Sequence, residues 1–330
     1  MAPLLEVEDL RVVFPTPRGT VRAVWGVSFR IEKGQMYGIV GESGCGKSAT
    51  GRAILRLIPP PGKIVGGQVL FRGENLLGKS EEEMQQVRGR SISMIFQDPA
   101  AALNPLFTIG QQITAIMKRH KVAHGEELRR RAEQLFEELG LPHSQDLLQC
   151  YPHQLSGGMQ QRVMIAMALC VESDLLIADE PTSCLDVTIQ SQILDLLVRL
   201  QKQRRLAIML ITHDLGVVAE TCERVAVFYL GRIVEQGAVS DVFRHPRHPY
   251  TQGLLAALPD PQRWGSPLKM IPGSVPTPLE PIPGCAFATR CEFRMEMCRH
   301  VEPQLVSVGD DHLAACFLYA ADPGKGQGGS

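Results

Sequence analysis

Gly41-Glu42-Ser43-Gly44-Cys45-Gly46-Lys47-Ser48 has the residue types and spacing of a phosphate-binding loop: two glycines with four residues between them, then Lys and Ser. Glycines allow the backbone to turn its N–H groups onto phosphate oxygens, and a following helix adds partial positive charge at its start. Lys47 suits the β- and γ-phosphates, and Ser48 suits Mg²⁺. Asp179 and Glu180 end the apolar run Leu175–Ala178. There Asp179 could serve a hard cation and Glu180 could orient or deprotonate an attacking water. Alone, two acids after a strand are as often a solvated end; beside a phosphate loop they acquire a role. His213 follows the apolar run Leu206–Thr212 and suits a γ-phosphate contact. Ser156-Gly157-Gly158 opens another helix, with a capping hydroxyl and two glycines that admit an anion, although a plain capped helix has the same pattern.

The elements that must position these groups are legible around them. Gln35–Val40 reads as a buried strand before the loop, and Ala49–Ile58 as a helix after it. Leu4–Phe14 and Val21–Ile31 read as strands joined by a turn at Pro15–Gly19. Gln68–Phe71, Ser91–Phe96, Asp174–Asp179 and Leu206–Ile211 are further strands. Ser80–Arg88 is helical, with Ser80 and Glu83 forming a capping box. Thr108–Gly140 carries helical periodicity through Leu128, Ala132, Leu135, Phe136 and Leu139. Ser156–Val171 and Thr188–Leu200 are also helical. This alternation predicts an α/β fold with a parallel-rich sheet, interrupted by a helical insertion.

At 330 residues, 44% hydrophobic and 21% charged, the chain can bury one large or two modest cores. A net charge of −1 gives no electrostatic reason to expect nucleic acid or an acidic membrane surface as partner. No apolar run approaches the ~18 residues of a membrane span. The start carries Glu6, Glu8 and Asp9, unlike a secretory signal, so a cytoplasmic protein is expected. Pro259–Pro283 holds eight prolines in 25 residues, the composition of a linker or wrapping arm. A disordered tail is expected at 321–330. Of nine cysteines, Cys45, Cys150, Cys170, Cys184 and Cys222 are scattered, whereas Cys285, Cys291, Cys298 and Cys316 crowd the C-terminal part. Buried structural thiols would account for such a group. In a reducing compartment its density points to metal before disulfides, and the spacing does not separate zinc from iron–sulfur.

Taken in order, Gly41–Ser48, Gln97, Leu155–Arg162, Asp179-Glu180, Ser183–Asp186 and His213 resemble the motifs of the ATP-binding cassette (ABC) ATPases, over roughly Leu4–Gly237. The resemblance implies an ABC nucleotide-binding domain at 1–240: a RecA-like core with an antiparallel β subdomain and a helical insertion at about 108–171. It implies that ATP is bound by Gly41, Glu42, Ser43, Gly44, Cys45, Gly46, Lys47, Ser48 and Ala49, with adenine stacked on Phe14 or Trp25. Mg²⁺ would be held by Ser48, Gln97 and Asp179. Glu180 would be the catalytic base, Gln97 the link between the metal and the transporter contact, and His213 the switch histidine. Ser156, Gly157, Gly158 and Gln160 would contact the ATP of a partner subunit in trans, in a head-to-tail dimer across which Asp186 communicates. Cys184 stands where a small residue such as Ala is more usual.

Phe96–Pro99, Leu103–Pro105, Tyr151–Gln154, Asp186–Gln190 and Arg247–Thr251 narrow the resemblance to the dipeptide/oligopeptide importer ATPases. Nickel importers share much of this pattern. The implied partners are a second, identical or related ATPase subunit, two membrane permease subunits and an extracytoplasmic peptide-binding protein, with the chain peripheral on the cytoplasmic face of the membrane. Residues 241–320 would form the importer family's C-terminal extension with a Cys₄ site. Resemblance favours a [4Fe–4S] cluster there, with Zn²⁺ the alternative. A soluble ABC ATPase of DNA repair or translation should show a coiled-coil insertion or tandem cassettes, and neither is present. An iron–sulfur redox protein would leave Gln97 and the importer motifs unexplained.

Overall fold

The computed structural model describes residues 2–141, 143–183, 185–258, 270–276, 279 and 282–319. Cys184, most of the proline-rich stretch and the 321–330 tail therefore lie outside the described residues. The strands, in chain order, are β1 (Leu5–Thr16), β2 (Gly19–Ile31), β3 (Met36–Val40), β4 (Lys63–Phe71), β5 (Glu74–Asn75) and β6 (Ile92–Ile95). They continue as β7 (Leu175–Asp179), β8 (Ala207–Thr212), β9 (Arg224–Tyr229), β10 (Arg232–Ala238), β11 (Val306–Gly309) and β12 (His312–Ala314).

The chain divides into two compact units, each assembled from separated stretches. The first takes the described residues of Met1–Leu4, Ile31–Met36 and Asn75–Thr212. Its centre is the parallel set β6–β7–β8, in which Ile92 pairs with Leu175 and Leu175 with Ala207. Every residue of these three strands is buried, which is why they read as unbroken apolar runs. The helix Gly157–Leu169 packs on β6 and on the helices Ile109–Arg119 and Glu126–Glu138. Thr108 and Gln111 form a reciprocal capping box at the start of the insertion. The expected helical interval is broken after Arg119, where His120 closes the helix and Lys121 takes a left-handed φ of 56°.

The second unit takes Leu5–Arg30, Tyr37–Glu74 and the described residues of His213–Ser330. β1 pairs antiparallel with β4, Leu5 against Phe71, within the order β2–β1–β4–β5. The turn between β1 and β2 is tighter than expected: Pro17 and Arg18 alone separate the strands. β3 runs parallel to β9, Val40 beside Val227, and β9 turns through Leu230 and Gly231, both at positive φ, into antiparallel β10. β12 then pairs with β10, Glu235 against Ala314, and β11 with β12. The C-terminal segment is thus hydrogen-bonded into this unit's sheet. The helix after the phosphate loop is Lys47–Ile54, so it begins earlier and ends sooner than the expected Ala49–Ile58. Among the described residues no helix is long and apolar enough to cross a membrane.

Candidate functional site

Both glycines that frame the loop are dictated by backbone crowding. A Cβ on Gly46, at φ +102°, would lie 2.1 Å from the Ala23 carbonyl oxygen, and one on Gly41 would lie 2.2 Å from that of Phe228. Such distances exclude any side chain without a backbone shift. The loop is tied to its neighbours by main-chain bonds: Gly231 N–H donates to the Cys45 carbonyl at 2.8 Å, and Trp25 N–H to the Gly231 carbonyl at 2.8 Å. Lys47, 4% exposed, folds back inside its own loop. Its Nζ donates to the carbonyls of Gly41 (2.7 Å) and Glu42 (3.1 Å). An ammonium held this way sits among the backbone groups that would receive phosphate, and exchanging two carbonyls for anionic oxygens strengthens its hydrogen bonds. Burial pushes the Cys45 thiol up, so it stays protonated.

Phe14 is half-buried near the end of β1, its ring against Gly62. Two guanidinium groups lie over the Trp25 ring, Arg22 at 4.1 Å and Arg11 at 5.0 Å from its centre. His213 is exposed just before Asp214, whose carboxylate caps the helix Leu215–Thr221 through Gly216 N–H and Val217 N–H.

In the first unit, Asp179 is fully buried at the end of β7. Glu180 takes φ +47°, and its N–H donates to the Ile211 carbonyl at 2.8 Å. Gln97, just beyond β6, donates its side-chain amide to Glu180 Oε2 at 3.1 Å. Ser156 caps Gly157–Leu169 by accepting the Met159 N–H (3.4 Å), and it is exposed together with Gly157. Gln160 donates its side-chain amide to the carbonyls of Pro152 (2.8 Å) and Leu155 (3.3 Å). Asp186 caps Val187–Arg204 through the Ile189 N–H at 3.0 Å.

The residues that sequence reasoning missed lie on the C-terminal side. Arg290 forms a two-pronged ion pair with Glu42 of the phosphate loop, and the Tyr250 hydroxyl accepts the Glu42 N–H. No spacing rule connects positions 248 residues apart.

Cys285, Cys291, Cys298 and Cys316 are free thiols. Cys285 N–H donates to the Cys298 carbonyl at 2.8 Å. Burial, and then its three companion cysteines, push the Cys285 thiol up to about 11. Burial, then Cys298, raise Cys291; burial, then Cys291 and Cys298, raise Cys316. The four are therefore mutual neighbours. The expected single-metal geometry is nevertheless not formed: among the described residues no three Cys, His, Asp or Glu side chains converge to hold a metal ion. Tetrahedral zinc would need its thiolates about 3.8 Å apart, from Zn–S bonds of about 2.3 Å.

A glycine-rich loop between a buried strand and a helix, with lysine folded inside it, defines a nucleoside-triphosphate-binding α/β protein. The family model described as ABC transporter matches residues 24–183, and that of the oligopeptide/dipeptide transporter C-terminal region matches 234–298. The chain is 51% identical to a probable peptide ABC transporter ATP-binding protein, y4tR, of Sinorhizobium fredii, over 95% of this chain and 94% of that protein. It is 49% identical to the oligopeptide transport ATP-binding protein OppD of Bacillus subtilis, over 98% of this chain and 90% of that one. Among solved structures, the dimeric post-hydrolysis ATP-binding cassette MJ0796, bound to ADP and phosphate, superposes with a TM-score of 0.64 at 27% identity, covering 71% of this chain and 98% of that one. The chain belongs to the ATP-binding proteins of the ABC transporters.

Proposed function

We propose that this chain hydrolyses ATP to power the import of dipeptides or oligopeptides through a membrane permease. The observation that carries the substrate class is the match of 234–298 to the oligopeptide/dipeptide transporter C-terminal region, supported by relatives named for peptide transport. The domain reading is a nucleotide-binding domain at 1–240, with its helical insertion at about 108–171, an importer-type extension at 241–320 and a tail at 321–330.

Roles follow from family membership and from what each side chain is able to do. The N–H groups of Gly41–Ala49 and the Lys47 ammonium bind the phosphates, and Phe14 stacks on adenine, because the Trp25 ring already carries two guanidinium groups. Ser48, Gln97 and Asp179 offer the oxygen donors a hard cation takes, so this donor set suits Mg²⁺, which would neutralise phosphate charge. Glu180 accepts the proton of the attacking water, and Gln97 aims it through the bond already present at 3.1 Å. His213 contacts the γ-phosphate. Ser156, Gly157, Gly158 and Gln160 serve the ATP of a second subunit in a head-to-tail dimer, and Asp186 relays between the two. The other partners are two membrane permease subunits and an extracytoplasmic peptide-binding protein, with this chain peripheral at the cytoplasmic face of the membrane.

For the four late cysteines the family resemblance favours a [4Fe–4S] cluster, with Zn²⁺ the alternative. Cys285 and Cys298 border a cavity of about 330 Å³, and the donor set is all thiol. Such a group would cross-link a segment poor in apolar core.

The test is ATP-dependent uptake of labelled di- and oligopeptides by vesicles carrying the complete complex. Uptake that stops when this chain is left out supports the proposal. ATP-driven uptake of nickel without peptide would overturn the substrate class.

A further inference from the structure

Glu42 is the one acidic residue within Gly41–Ser48, on a loop that must receive a polyanion. A carboxylate there repels the incoming phosphates unless something cancels it. Arg290 does so. Its Nη1 donates to Glu42 Oε2 at 2.9 Å and its Nη2 to Oε1 at 3.3 Å, a fork-to-fork pair that adds direction as well as charge. The third edge of the guanidinium is fixed by Nε donating to the Pro272 carbonyl at 3.0 Å. The Arg290 side chain is 5% exposed, whereas that of Glu42 is 30% exposed. Tyr229, Tyr250 and Phe287 form an aromatic cluster with centroid distances of 4.6 to 5.4 Å, and the guanidinium carbon lies 5.9 Å from the rings of Tyr229 and Phe287. Tyr250 holds the other side of the same loop residue by accepting the Glu42 N–H at 3.1 Å.

The chain positions of these partners give the arrangement its meaning. Arg290 and Phe287 lie in the C-terminal segment, between Cys285 and Cys291. A segment that contributes nothing to Gly41–Ser48 in sequence therefore holds the loop's only negative charge. We propose that Arg290 is a positioning residue for ATP: docked from the C-terminal segment, it neutralises Glu42 and fixes the phosphate loop, so nucleotide affinity depends on that segment being seated. This rests on the reading of Gly41–Ser48 as the ATP site. Lysine would not substitute fully, because it presents a point charge where the pair and the Pro272 carbonyl use three edges of a planar fork.

Equilibrium binding of Mg²⁺–ATP to the full chain tests it. Arg290→Met keeps the apolar stem over the aromatic cluster while removing the charge. It should weaken ATP binding by about tenfold, with the deficit shrinking as salt is raised. Adding Glu42→Gln to that variant should restore affinity to within about threefold of wild type, since the repelling charge is gone. A purely structural loss would not be rescued by deleting the partner. Should Arg290→Met fail to fold, Arg290→Lys carries the same comparison, with a smaller deficit again relieved by Glu42→Gln. Wild-type affinity in folded Arg290→Met, or a deficit that Glu42→Gln leaves in place, overturns the inference while the ATP site stands. A wild-type chain that binds no ATP overturns the reading of the loop and this inference with it.

Discussion

Gln97 and Glu180 are joined side chain to side chain, Nε2 to Oε2, at 3.1 Å. The bond follows from strand order. β6 and β7 are parallel neighbours, so the residues just past their C-terminal ends emerge at the same edge. The left-handed φ of Glu180, +47°, and its N–H bond to the Ile211 carbonyl of β8 fix the backbone from which its carboxylate projects. A non-glycine residue held at positive φ at such an edge is the kind of local cost that persists where function uses it.

Glu180→Gln is accordingly expected to keep the shape and the contact with Gln97 while losing the base. Steady-state hydrolysis should fall by about 10²–10⁴, with ATP binding retained. Near-normal turnover measured in a complex whose other ATPase site is disabled would remove Glu180 from that role.

Gly46→Ala addresses the phosphate loop without touching its charges. The added methyl would sit 2.1 Å from the Ala23 carbonyl oxygen, at a φ of +102° that alanine resists. The loop must shift to admit it, so ATP affinity should drop by at least about tenfold while β3 and the Lys47–Ile54 helix persist. Titration with ATP alongside circular dichroism separates the two effects. Unchanged affinity would mean that the loop geometry described here is not the binding geometry.

What the sequence made legible, and what it hid, divides by range. Gly41–Ser48, the acids at the end of β7 and the capping box Ser80–Glu83 are local patterns, and the structure forms the loop, the strand end and the box at those residues. β9 and β10 went unread although Val225–Tyr229 is an apolar run, because no chemistry-bearing motif drew attention to it. The pairing of β12 with β10 and the Arg290–Glu42 clamp were out of reach of any periodicity argument, since they join residues 77 to 248 positions apart. The cysteines show the intermediate case. Their crowding was visible, but whether their thiols converge depends on packing that spacing does not encode.

His248 gives a pH prediction. Burial alone depresses its imidazole from 6.5 to about 3, and its Nδ1 accepts the Tyr250 N–H at the start of the helix Pro249–Ala256. Between pH 6.5 and 3 the unfolded chain takes up a proton at this site that the folded chain refuses. This contribution to stability is therefore complete above about pH 7 and is lost as pH falls through that window, by up to about 1.4 kcal/mol per pH unit. His248→Asn keeps a capping acceptor and removes the titration. Its unfolding midpoint should vary less with pH than that of wild type between 6.5 and 4, and an unchanged slope would assign the acid sensitivity elsewhere.

Ser156→Arg tests action in trans. Ser156 and Gly157 are exposed, and the serine hydroxyl accepts the capping bond from the Met159 N–H. Losing the cap should cost about 1 kcal/mol of stability, too little to unfold a chain of this size. The bulky cation would bar a partner's phosphate from the helix start, so hydrolysis by the assembled dimer should collapse while the isolated chain binds ATP as before. Loss of binding by the isolated chain would show that this helix start serves its own nucleotide.

The cysteine group supplies the last prediction, and its sign comes from charge. Four partly buried thiols resist ionisation: burial first, and then the neighbouring cysteines, push Cys285 up to about 11. A cationic iron–sulfur core reverses that balance, because it needs the thiolates and pays for their deprotonation. Anaerobically purified protein should then carry about four iron and four sulfide per chain, with broad visible absorption. Cys298→Ser, at the most buried of the four, should lower that content and loosen the backbone tie between Cys298 and Cys285. Arg290 lies between Cys285 and Cys291, so the same variant should also weaken ATP binding, and Glu42→Gln should relieve part of that loss. Four freely alkylated thiols with no bound metal in anaerobic wild-type protein would eliminate the cluster and leave the Arg290–Glu42 clamp to be judged by its own double-variant test.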